Sequence, residues 1–193
     1  MVEQIPSMQQ PQHKIVSIVG NMTQYGRAGR YEVVMHLSDR IGSQAYPVPT
    51  RVVATSIEER ELLQAQRSFI TVKTLAEQAK ATFVGISQID SNAPLHQDGF
   101  INDGEVTQLI ELGAVGEIAG WAYDRQGVLI QCVTNSRVAG VPLEQPAQRL
   151  IIGIAGGMKK VESILAALHG KLIAGPIAEE VVAQAILSQM RGG

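Results

Sequence analysis

Two glycines and two lysines lie close together where the sequence predicts the start of a helix. The apolar run LIIGIA is followed by Gly156, Gly157, Lys159 and Lys160, with one methionine between the two pairs. The first turn of a helix exposes backbone N–H groups and carries about half a positive charge, so it favours acids over lysines. A bound phosphate or carboxylate would balance the two ammonium groups. The alternative is that both lysines are solvated surface residues, and the pattern alone leaves the two interpretations open.

A second candidate site contains a single acid behind two glycines. Gly113 and Gly116 flank a small apolar pair, and Glu117 follows at the start of a predicted strand. A carboxylate in that position could accept hydrogen bonds from the hydroxyl groups of a sugar. The alternative is a glutamate on an edge strand that faces water, and the residue types alone slightly favour it.

The other residue types that carry chemistry form no catalytic or metal pattern. His13, His36, His96 and His169 show no metal-ligand spacing, and no serine lies in a G-x-S-x-G turn. The single cysteine, Cys132, lies in the apolar run VLIQCV and is predicted to be a buried small hydrophobe. The glycines and lysines at 156–160 match neither G-x-G-x-x-G nor G-x-x-x-x-G-K-[ST], so a nucleotide is not expected. We therefore expect no metal, no cofactor and no nucleophile–base pair.

Composition and charge argue against several classes of protein. The 193 residues carry a net charge of −2, which argues against nucleic-acid binding by this chain alone, because phosphate neutralisation needs a clustered basic surface. One cysteine permits no internal disulfide and fits a reducing cytoplasm. No apolar run reaches the roughly 18 residues of a membrane span, and the polar start MVEQIPSMQQPQ is unlike a secretion signal. Residues 1–13 are expected to be flexible, and residues 14–193 to form one domain.

Strands and helices alternate along the rest of the chain. Apolar or β-branched runs predict the strands, and apolar residues at helical spacing predict the helices. Predicted strands cover 14–19, 51–54, 81–86, 118–123, 128–133, 150–155 and 172–176. Predicted helices cover 33–41, 57–66, 72–79, 105–112, 158–168 and 179–190, and a capping box of Ser56 and Glu59 opens the second. Continuous apolar strands alternating with helices indicate a mostly parallel sheet covered on both faces.

Three kinds of connection bear on a binding site. Asp124–Gly127 is predicted to be the turn of a β-hairpin between strands 118–123 and 128–133. Residues 87–103 are predicted to form a long polar loop, and the length of 88–100 makes it a candidate functional lid. Ligands of open α/β sheets bind at the carboxyl ends of strands, which here are marked by Gly20 with Asn21, by the residues after Gly85, and by 156–160.

Four blocks of the sequence resemble, in the same order, the effector domain of SorC-type (DeoR-like) transcriptional regulators, the sorbitol-operon regulator family. VSIVGNM and TFVGIS resemble two of the family's strands with their glycine turns, and ELGAVGEIAGWAYDRQG resembles its Gly-Ala-Val-Gly-acid block. LIIGIAGGMKKVESILAALHGKLIAGPIAEEVVAQAIL resembles its closing segment of strand, Gly-Gly-x-x-Lys, helix, strand and helix. The resemblance runs from about Lys14 to Leu187.

The resemblance implies a Rossmann-like three-layer α/β sandwich, related to sugar-phosphate isomerases and CoA transferases. It implies that the ligand is a phosphorylated sugar or a similar small phosphate. On the family pattern, Lys160 would help to bind this ligand after Gly156 and Gly157, and Glu117 would meet its hydroxyl groups. Ligand binding would change how the subunits of a homo-oligomer pair, as a shift between two states.

The chain departs from the family pattern in three places. No helix-turn-helix precedes Lys14, and the upstream strand with the family's glycine-rich phosphate loop is not present either. We therefore expect the C-terminal, sugar-binding part of a regulator, incomplete at its N-terminal side, whose DNA contacts depend on a domain absent from this chain. Many relatives have an arginine where Gln97 precedes Asp98-Gly99-Phe100, so a monophosphate or an uncharged polyol is favoured over a bisphosphate.

The main hypothesis is thus the effector-binding domain of a bacterial transcriptional regulator. Two alternatives stay open: a sugar-phosphate isomerase-like enzyme with Glu117 as general base, and a dimerisation module without a ligand. A parallel sheet that lacks one strand has unpaired backbone groups and exposed apolar surface, so self-association is expected.

Overall fold

The computed structural model divides the chain into two compact units. The residues that it describes are 2–23, 27, 33–90, 92–144 and 147–191. One unit comprises Met1–Gln78 with Arg137–Val141, and the other comprises Ala79–Ser136 with Pro142–Gly193. None of the helices in these described ranges is long and apolar enough to cross a membrane.

Over its described residues, the first unit contains a two-stranded parallel sheet and three α-helices. Its elements are β1 (Lys14–Val16), α1 (Val33–Ile41), β2 (Gln44–Tyr46), α2 (Ile57–Gln64) and α3 (Arg67–Glu77). β1 pairs in parallel with β2, and α1 is the crossover between them. The core of this unit consists of buried side chains from α3 and from two extended segments: Val48, Phe69, Val72, Ala76 and Val141. The predicted strand at 51–54 is reduced to single bridges at Arg51 and Val53.

The segment before β1 is joined to the end of α1 by backbone hydrogen bonds. Val2–Gln4 forms a 3₁₀ turn. The Met8 N–H then donates to the Arg40 carbonyl at 3.1 Å, and the Gln10 N–H donates to the Ile41 carbonyl at 2.7 Å. The division of the chain into a flexible segment 1–13 and a domain 14–193 stays a prediction.

The predicted capping box at the start of α2 is half correct. The Ser56 side chain accepts a hydrogen bond from the Glu59 N–H at 3.1 Å, as the pattern predicts. The Glu59 carboxylate, however, accepts from the Thr55 N–H and from the Thr55 hydroxyl, both at 2.6 Å, and not from the Ser56 backbone. A second donor on Thr55 explains the difference, because one carboxylate oxygen can satisfy both groups there.

In its described residues, the second unit contains two sheets with flanking α-helices. Its elements are β3 (Thr82–Gly85), β4 (Ser87–Gln88), α4 (Pro94–Gln97), α5 (Asp103–Glu111), β5 (Gly116–Ile118), β6 (Trp121–Tyr123), α6 (Val133–Ser136), β7 (Ile151–Ile154), α7 (Val161–His169), β8 (Gly175–Ile177) and α8 (Glu180–Arg191). β3, β7 and β8 form a parallel sheet in that order, and α7 is the crossover from β7 to β8. Parallel strands joined through helices confirm the predicted α/β class with mostly parallel pairing.

The last predicted strand is shifted toward the C-terminus. The sequence predicts 172–176, whereas β8 covers Gly175–Ile177. Leu172 and Ile173 are nevertheless 0% and 4% exposed, because they fill the core between the end of α7 and the strand. The apolar run at 172–176 therefore indicated correctly which residues are buried, but not which residues pair as a strand. A short apolar segment does not by itself distinguish a strand from another buried segment.

The predicted hairpin is correct in its turn but not in the extent of its strands, and a second hairpin precedes it. β5 and β6 pair in antiparallel fashion through a two-residue turn at Ala119 and Gly120, which lies inside the predicted strand 118–123. Both turn residues have positive φ, 53° and 92°, as a type I′ hairpin turn requires. The turn at Asp124–Gly127 does form, with the Gly127 N–H donating to the Asp124 carbonyl at 2.9 Å. Beyond the turn, an antiparallel bridge joins Tyr123 to Leu129, and the Ile130 N–H donates to the Ala122 carbonyl at 3.0 Å. The pairing does not extend to the full predicted strand 128–133.

The predicted lid at 88–100 is also wrong. Ser87 and Gln88 form β4, which pairs with β5, and α4 lies within the supposed loop. Five apolar side chains of this part of the chain are buried, with exposed fractions of 9% or less: Ile89, Ala93, Leu95, Phe100 and Ile101. A segment anchored by that much apolar burial is part of the core and not a mobile cover.

Candidate functional site

The glycine–lysine segment forms a tight turn between β7 and α7. Met158–Lys160 is a 3₁₀ turn, and the α-helix begins at Val161, so the lysines precede the helix that was predicted to start at Met158. Gly157 has φ 89°, a conformation that glycine adopts without strain. Lys160 is half-buried whereas Lys159 is exposed, so the two lysines have different surroundings.

A carboxylate of the chain itself lies beside the glycine pair. The Gly157 N–H donates to Glu179 Oε2 at 3.3 Å. A Cβ atom at Gly156 would lie 3.0 Å from Glu179 Oε1, so a side chain there would press on the same carboxylate. Glu179 immediately precedes α8. The carboxylate of Glu179 therefore provides a negative charge at this positively charged turn without a ligand. Sequence reasoning missed this contact, and its only sequence signal is the acid pair Glu179-Glu180.

Glu117 is a buried carboxylate on the central strand of the antiparallel sheet. β5 lies between β4 and β6, and Glu117 is only 7% exposed. One carboxylate oxygen accepts a hydrogen bond from the Gly120 N–H at 2.8 Å. Ser87 lies directly opposite on β4, and its hydroxyl donates a second hydrogen bond to the carboxylate. The alternative of an edge-strand glutamate facing water is thus excluded.

Burial and neighbouring charges act in opposite directions on Glu117. Loss of solvent raises the pKa of Glu117 above its ordinary value. The Gly120 N–H, the Ser87 hydroxyl and the ammonium group of Lys160 each act to lower the pKa, but burial dominates. Burial, and to a smaller extent the negative charge of Glu117, also raise the pKa of Tyr123. Lys160 and Glu117 are both predicted site residues, and the charge of the first acts on the pKa of the second.

The second glycine of the Gly-Ala-Val-Gly block is required by close packing. A Cβ atom at Gly116 would lie 2.5 Å from the Tyr123 hydroxyl and 2.9 Å from the Ser163 Cβ. The Tyr123 hydroxyl donates to the Ser163 carbonyl at 3.0 Å, and the Ser163 hydroxyl donates to the Val115 carbonyl at 2.7 Å. These bonds join β5 and β6 to α7, and so fix the strand that carries Glu117 against the helix that follows Lys160.

Gly20 and Asn21 belong to the first unit. A Cβ atom at Gly20 would lie 1.9 Å from the Thr50 carbonyl oxygen, so only glycine allows the two backbones to approach this closely. Met22 then forms a parallel bridge to Arg51. This packing accounts for the glycine without a ligand, and binding by Gly20 and Asn21 stays a prediction.

Gln97 is the last residue of α4 and is exposed. Its backbone N–H donates to the Ala93 carbonyl at 3.0 Å. The neighbouring His96 Nε2 lies 2.6 Å from Asp103 Oδ1, so this histidine is engaged with the start of α5. A role for Gln97 in ligand binding stays a prediction.

Cys132 and the acidic and histidine side chains form no cluster with a chemical function in the described ranges. Cys132 is half-buried rather than fully buried as predicted, since it lies at the start of α6, where its sulfur accepts a hydrogen bond from the Asn135 N–H at 3.4 Å. Among residues 2–23, 27, 33–90, 92–144 and 147–191, no three histidine, cysteine or acidic side chains are grouped so as to hold a metal ion.

Comparison with known proteins gives a family and several relatives. Residues 1–188 match the family model Sugar-bind, a sugar-binding domain. The chain is 32% identical over 179 residues to the erythritol catabolism regulatory protein EryD of Brucella abortus, a match that covers 93% of this chain and 57% of EryD. It is 38% identical over 146 residues to the transcriptional regulator LsrR of Klebsiella pneumoniae, a match that covers 74% of this chain and 45% of LsrR. The chain thus spans about half the length of these relatives.

Solved structures with the same fold include two regulators. A DeoR family transcriptional regulator from Listeria monocytogenes superposes with a TM-score of 0.86 at 19% identity, covering 96% of this chain and 73% of that one. The full-length sorbitol operon regulator SorC from Klebsiella pneumoniae superposes with a TM-score of 0.84 at 23% identity. The match covers 96% of this chain and 62% of SorC. These similarities confirm the predicted Rossmann-like α/β fold.

Proposed function

This chain belongs to the Sugar-bind family of sugar-binding domains, and on that premise we propose that it senses a phosphorylated sugar or a related small carbohydrate as the effector-binding domain of a transcriptional regulator. Its relatives EryD and LsrR are regulators by name. Ligand binding would favour one arrangement of paired subunits over another and so alter DNA binding by a separate domain.

The observation that carries the proposal is the buried Glu117 within the field of Lys160. A buried carboxylate is a strong acceptor for hydroxyl groups, and an ammonium group with a nearby backbone N–H suits a phosphate. A sugar phosphate carries both kinds of group on one small skeleton. Lys160 and Gly157 would take the phosphate end, and Glu117 the hydroxyl end.

The experiment is a calorimetric titration with matched pairs of sugar phosphates and free sugars. Lys160→Gln should weaken binding of the phosphorylated member by about tenfold or more and affect the free sugar less, since it removes one charge-assisted contact. Glu117→Gln should weaken both members. Lys159→Gln is the matched control, because Lys159 carries the same charge one residue away but is exposed; it should bind like the unchanged protein.

Two results would contradict the assignment. If Lys159→Gln and Lys160→Gln lose the same affinity for the sugar phosphate, only the net positive charge of this segment matters and Lys160 has no specific role. If the protein binds none of the sugar phosphates or free sugars, the remaining interpretation is a dimerisation module without a ligand.

One observation favours a second candidate, an isomerase-like enzyme. Burial raises the pKa of Glu117 above its ordinary value, which is the direction of shift that a general base needs. Conversion of a bound sugar phosphate to product, abolished by Glu117→Gln, would establish this alternative. We expect no such turnover, because Tyr123, which interacts electrostatically with Glu117, keeps its proton: its pKa is raised by burial and its hydroxyl donates to the Ser163 carbonyl.

A further inference from the structure

Ser87 lies where the chain passes from the parallel sheet into the antiparallel sheet of the second unit. It follows the carboxyl end of β3 by two residues, and Ile86 between them is 0% exposed. The Ile86 N–H donates to the carbonyl of Ile154, the last residue of β7, at 3.3 Å. Because β3 and β7 are parallel neighbours, Ser87 and the glycine–lysine turn follow the same edge of their sheet, which is the edge where open α/β sheets bind ligands.

The same residue lies directly opposite Glu117. Ser87 on β4 pairs with Glu117 on β5, and the side chains of directly opposed residues in an antiparallel pair lie on one face, about 5 Å apart. Ser87 is 9% exposed, and its hydroxyl donates to the Glu117 carboxylate. β4 also contacts the Met158–Lys160 turn. This short strand therefore contacts both the strand that carries Glu117 and the turn that carries Lys160.

The donors that hold the Glu117 carboxylate come from the protein itself. A serine hydroxyl has one donor and two lone pairs, so the Ser87 hydroxyl that donates to Glu117 has only acceptor capacity left. The Gly120 N–H is used as well, because it donates to Glu117 Oε2 at 2.8 Å. An ionised carboxylate accepts about four hydrogen bonds, so about two remain for a ligand. Ser87 and Glu117 together thus offer acceptors, and the group that complements them is a hydroxyl and not a carbonyl.

We propose that Ser87 is the positioning residue that makes this end of the site selective for a hydroxyl group of the ligand. The inference rests on the proposed function, since it concerns the ligand that Glu117 would meet. By donating to the carboxylate, Ser87 holds Glu117 in one orientation and in its ionised, acceptor form. Without this donor the protonated form of Glu117 is favoured, and its O–H group can donate to a carbonyl. The ligand class is therefore a polyol phosphate rather than the corresponding keto sugar phosphate.

The first measurement follows Glu117 in the ligand-free protein, by NMR titration of its side-chain carboxyl carbon. Ser87→Ala should move this titration to higher pH, because a hydrogen bond to the ionised form is lost. Ser87→Thr keeps the hydroxyl and should restore the original titration. Ser38→Ala is the matched control, because Ser38 is a buried serine of α1, 3% exposed, in the first unit. An unchanged Glu117 titration in Ser87→Ala would overturn the proposal.

The second measurement is calorimetry with matched pairs of ligands. The pairs are glycerol phosphate with dihydroxyacetone phosphate, ribitol phosphate with ribulose phosphate, and sorbitol phosphate with fructose phosphate. Within each pair one hydroxyl is exchanged for a carbonyl. The unchanged protein should prefer the polyol member by about tenfold or more, Ser87→Ala should lose most of this preference, and Ser87→Thr should keep it. A purely structural effect would weaken both members equally, so the ratio of the two affinities isolates the selectivity.

The results separate this inference from the proposed function. If the pairs bind but Ser87→Ala keeps the same preference, or if the unchanged protein prefers the keto members, Ser87 does not select the ligand and this inference alone fails. If no sugar phosphate binds while the Glu117 titration still responds to Ser87→Ala, the proposed function fails, and the selectivity assigned to Ser87 fails with it.

Discussion

At the scale of single residues, burial controls the chemistry of Glu117. Three favourable partners surround it, yet burial dominates and raises its pKa. Its hydrogen-bonding partners, Gly120 and Ser87, lie on the neighbouring turn and strand. A carboxylate held in this way is positioned before any ligand arrives, so little reorganisation is needed on binding.

This raised pKa makes stability depend on pH in a defined direction. The folded protein holds the Glu117 proton more tightly than the unfolded chain, so ionisation costs folding free energy as the pH rises above the ordinary value near 4.5. The free energy of unfolding of Glu117→Gln, relative to the unchanged protein, should therefore increase from about pH 4 to about pH 7. Urea unfolding at several pH values measures this difference. Glu111→Gln, at the exposed end of α5, removes the same charge and is the control. A difference that stays constant or falls over this range would contradict the assigned burial effect.

At the scale of elements, the starts of α7 and α8 are connected. Glu179 precedes α8, yet its side chain accepts from the Gly157 N–H in the turn before α7. A phosphate bound at that turn would compete with the carboxylate for the same donor. The contact between these two helix starts is therefore expected to change when the proposed ligand binds.

Removal of the competing charge should strengthen phosphate binding. We expect Glu179→Gln to raise the affinity for the phosphorylated ligand by roughly threefold to tenfold, because one nearby negative charge is lost. Calorimetry measures this change. Glu180→Gln is the matched control: it lies one residue further, carries the same charge, and accepts a hydrogen bond from Gln184 at 3.1 Å within its own helix. Weaker binding by Glu179→Gln would show instead that the carboxylate supports the binding turn.

Some element ends were predicted well where side chains act locally. The start of α2 at Ile57 was predicted from Ser56 and Glu59. The complete capping box of Asn102 and Glu105 at the start of α5 was not predicted, and the sequence placed that helix start at Glu105 rather than Asp103. Gly42, with φ 62°, follows the end of α1, as its position after the apolar pattern predicted. Signals of this kind need only residues within one or two turns of each other.

At the scale of the whole molecule, each unit is completed by distant parts of the chain. The segment Arg137–Val141 belongs to the first unit, where the Ala139 N–H donates to the Val52 carbonyl at 3.0 Å. The Val141 N–H likewise donates to the Ile18 carbonyl at 2.7 Å. Each of these hydrogen bonds joins residues more than 80 positions apart in the chain. Such contacts leave no local sequence pattern, and neither contact was predicted.

An exposed apolar edge in the second unit bears on self-association. β3 is an edge strand of its three-stranded sheet, and Phe83 on it is 57% exposed. Edge strands with exposed apolar side chains pair with other chains. We expect sedimentation to show mass increasing with concentration, and Phe83→Lys to reduce it. Leu62→Lys, on helix α2 and 72% exposed, is the control, since a helix offers no unpaired strand edge. A single monomeric species throughout the micromolar range would contradict the expected homo-oligomer.

The sequence by itself determined the α/β class, most helices, the Gly-Gly turn after β7 and the choice of Glu117 and Lys160 as site candidates. These follow from short-range periodicity, from helix-capping residues and from family blocks that lie contiguous in the chain. Only the tertiary structure decided that Glu117 is buried on a central strand, that Glu179 reaches the Gly157 N–H, and that Ala119 turns the hairpin at positive φ. Burial, cross-strand pairing and strain at a non-glycine residue depend on partners far away in sequence, so no local pattern could have specified them.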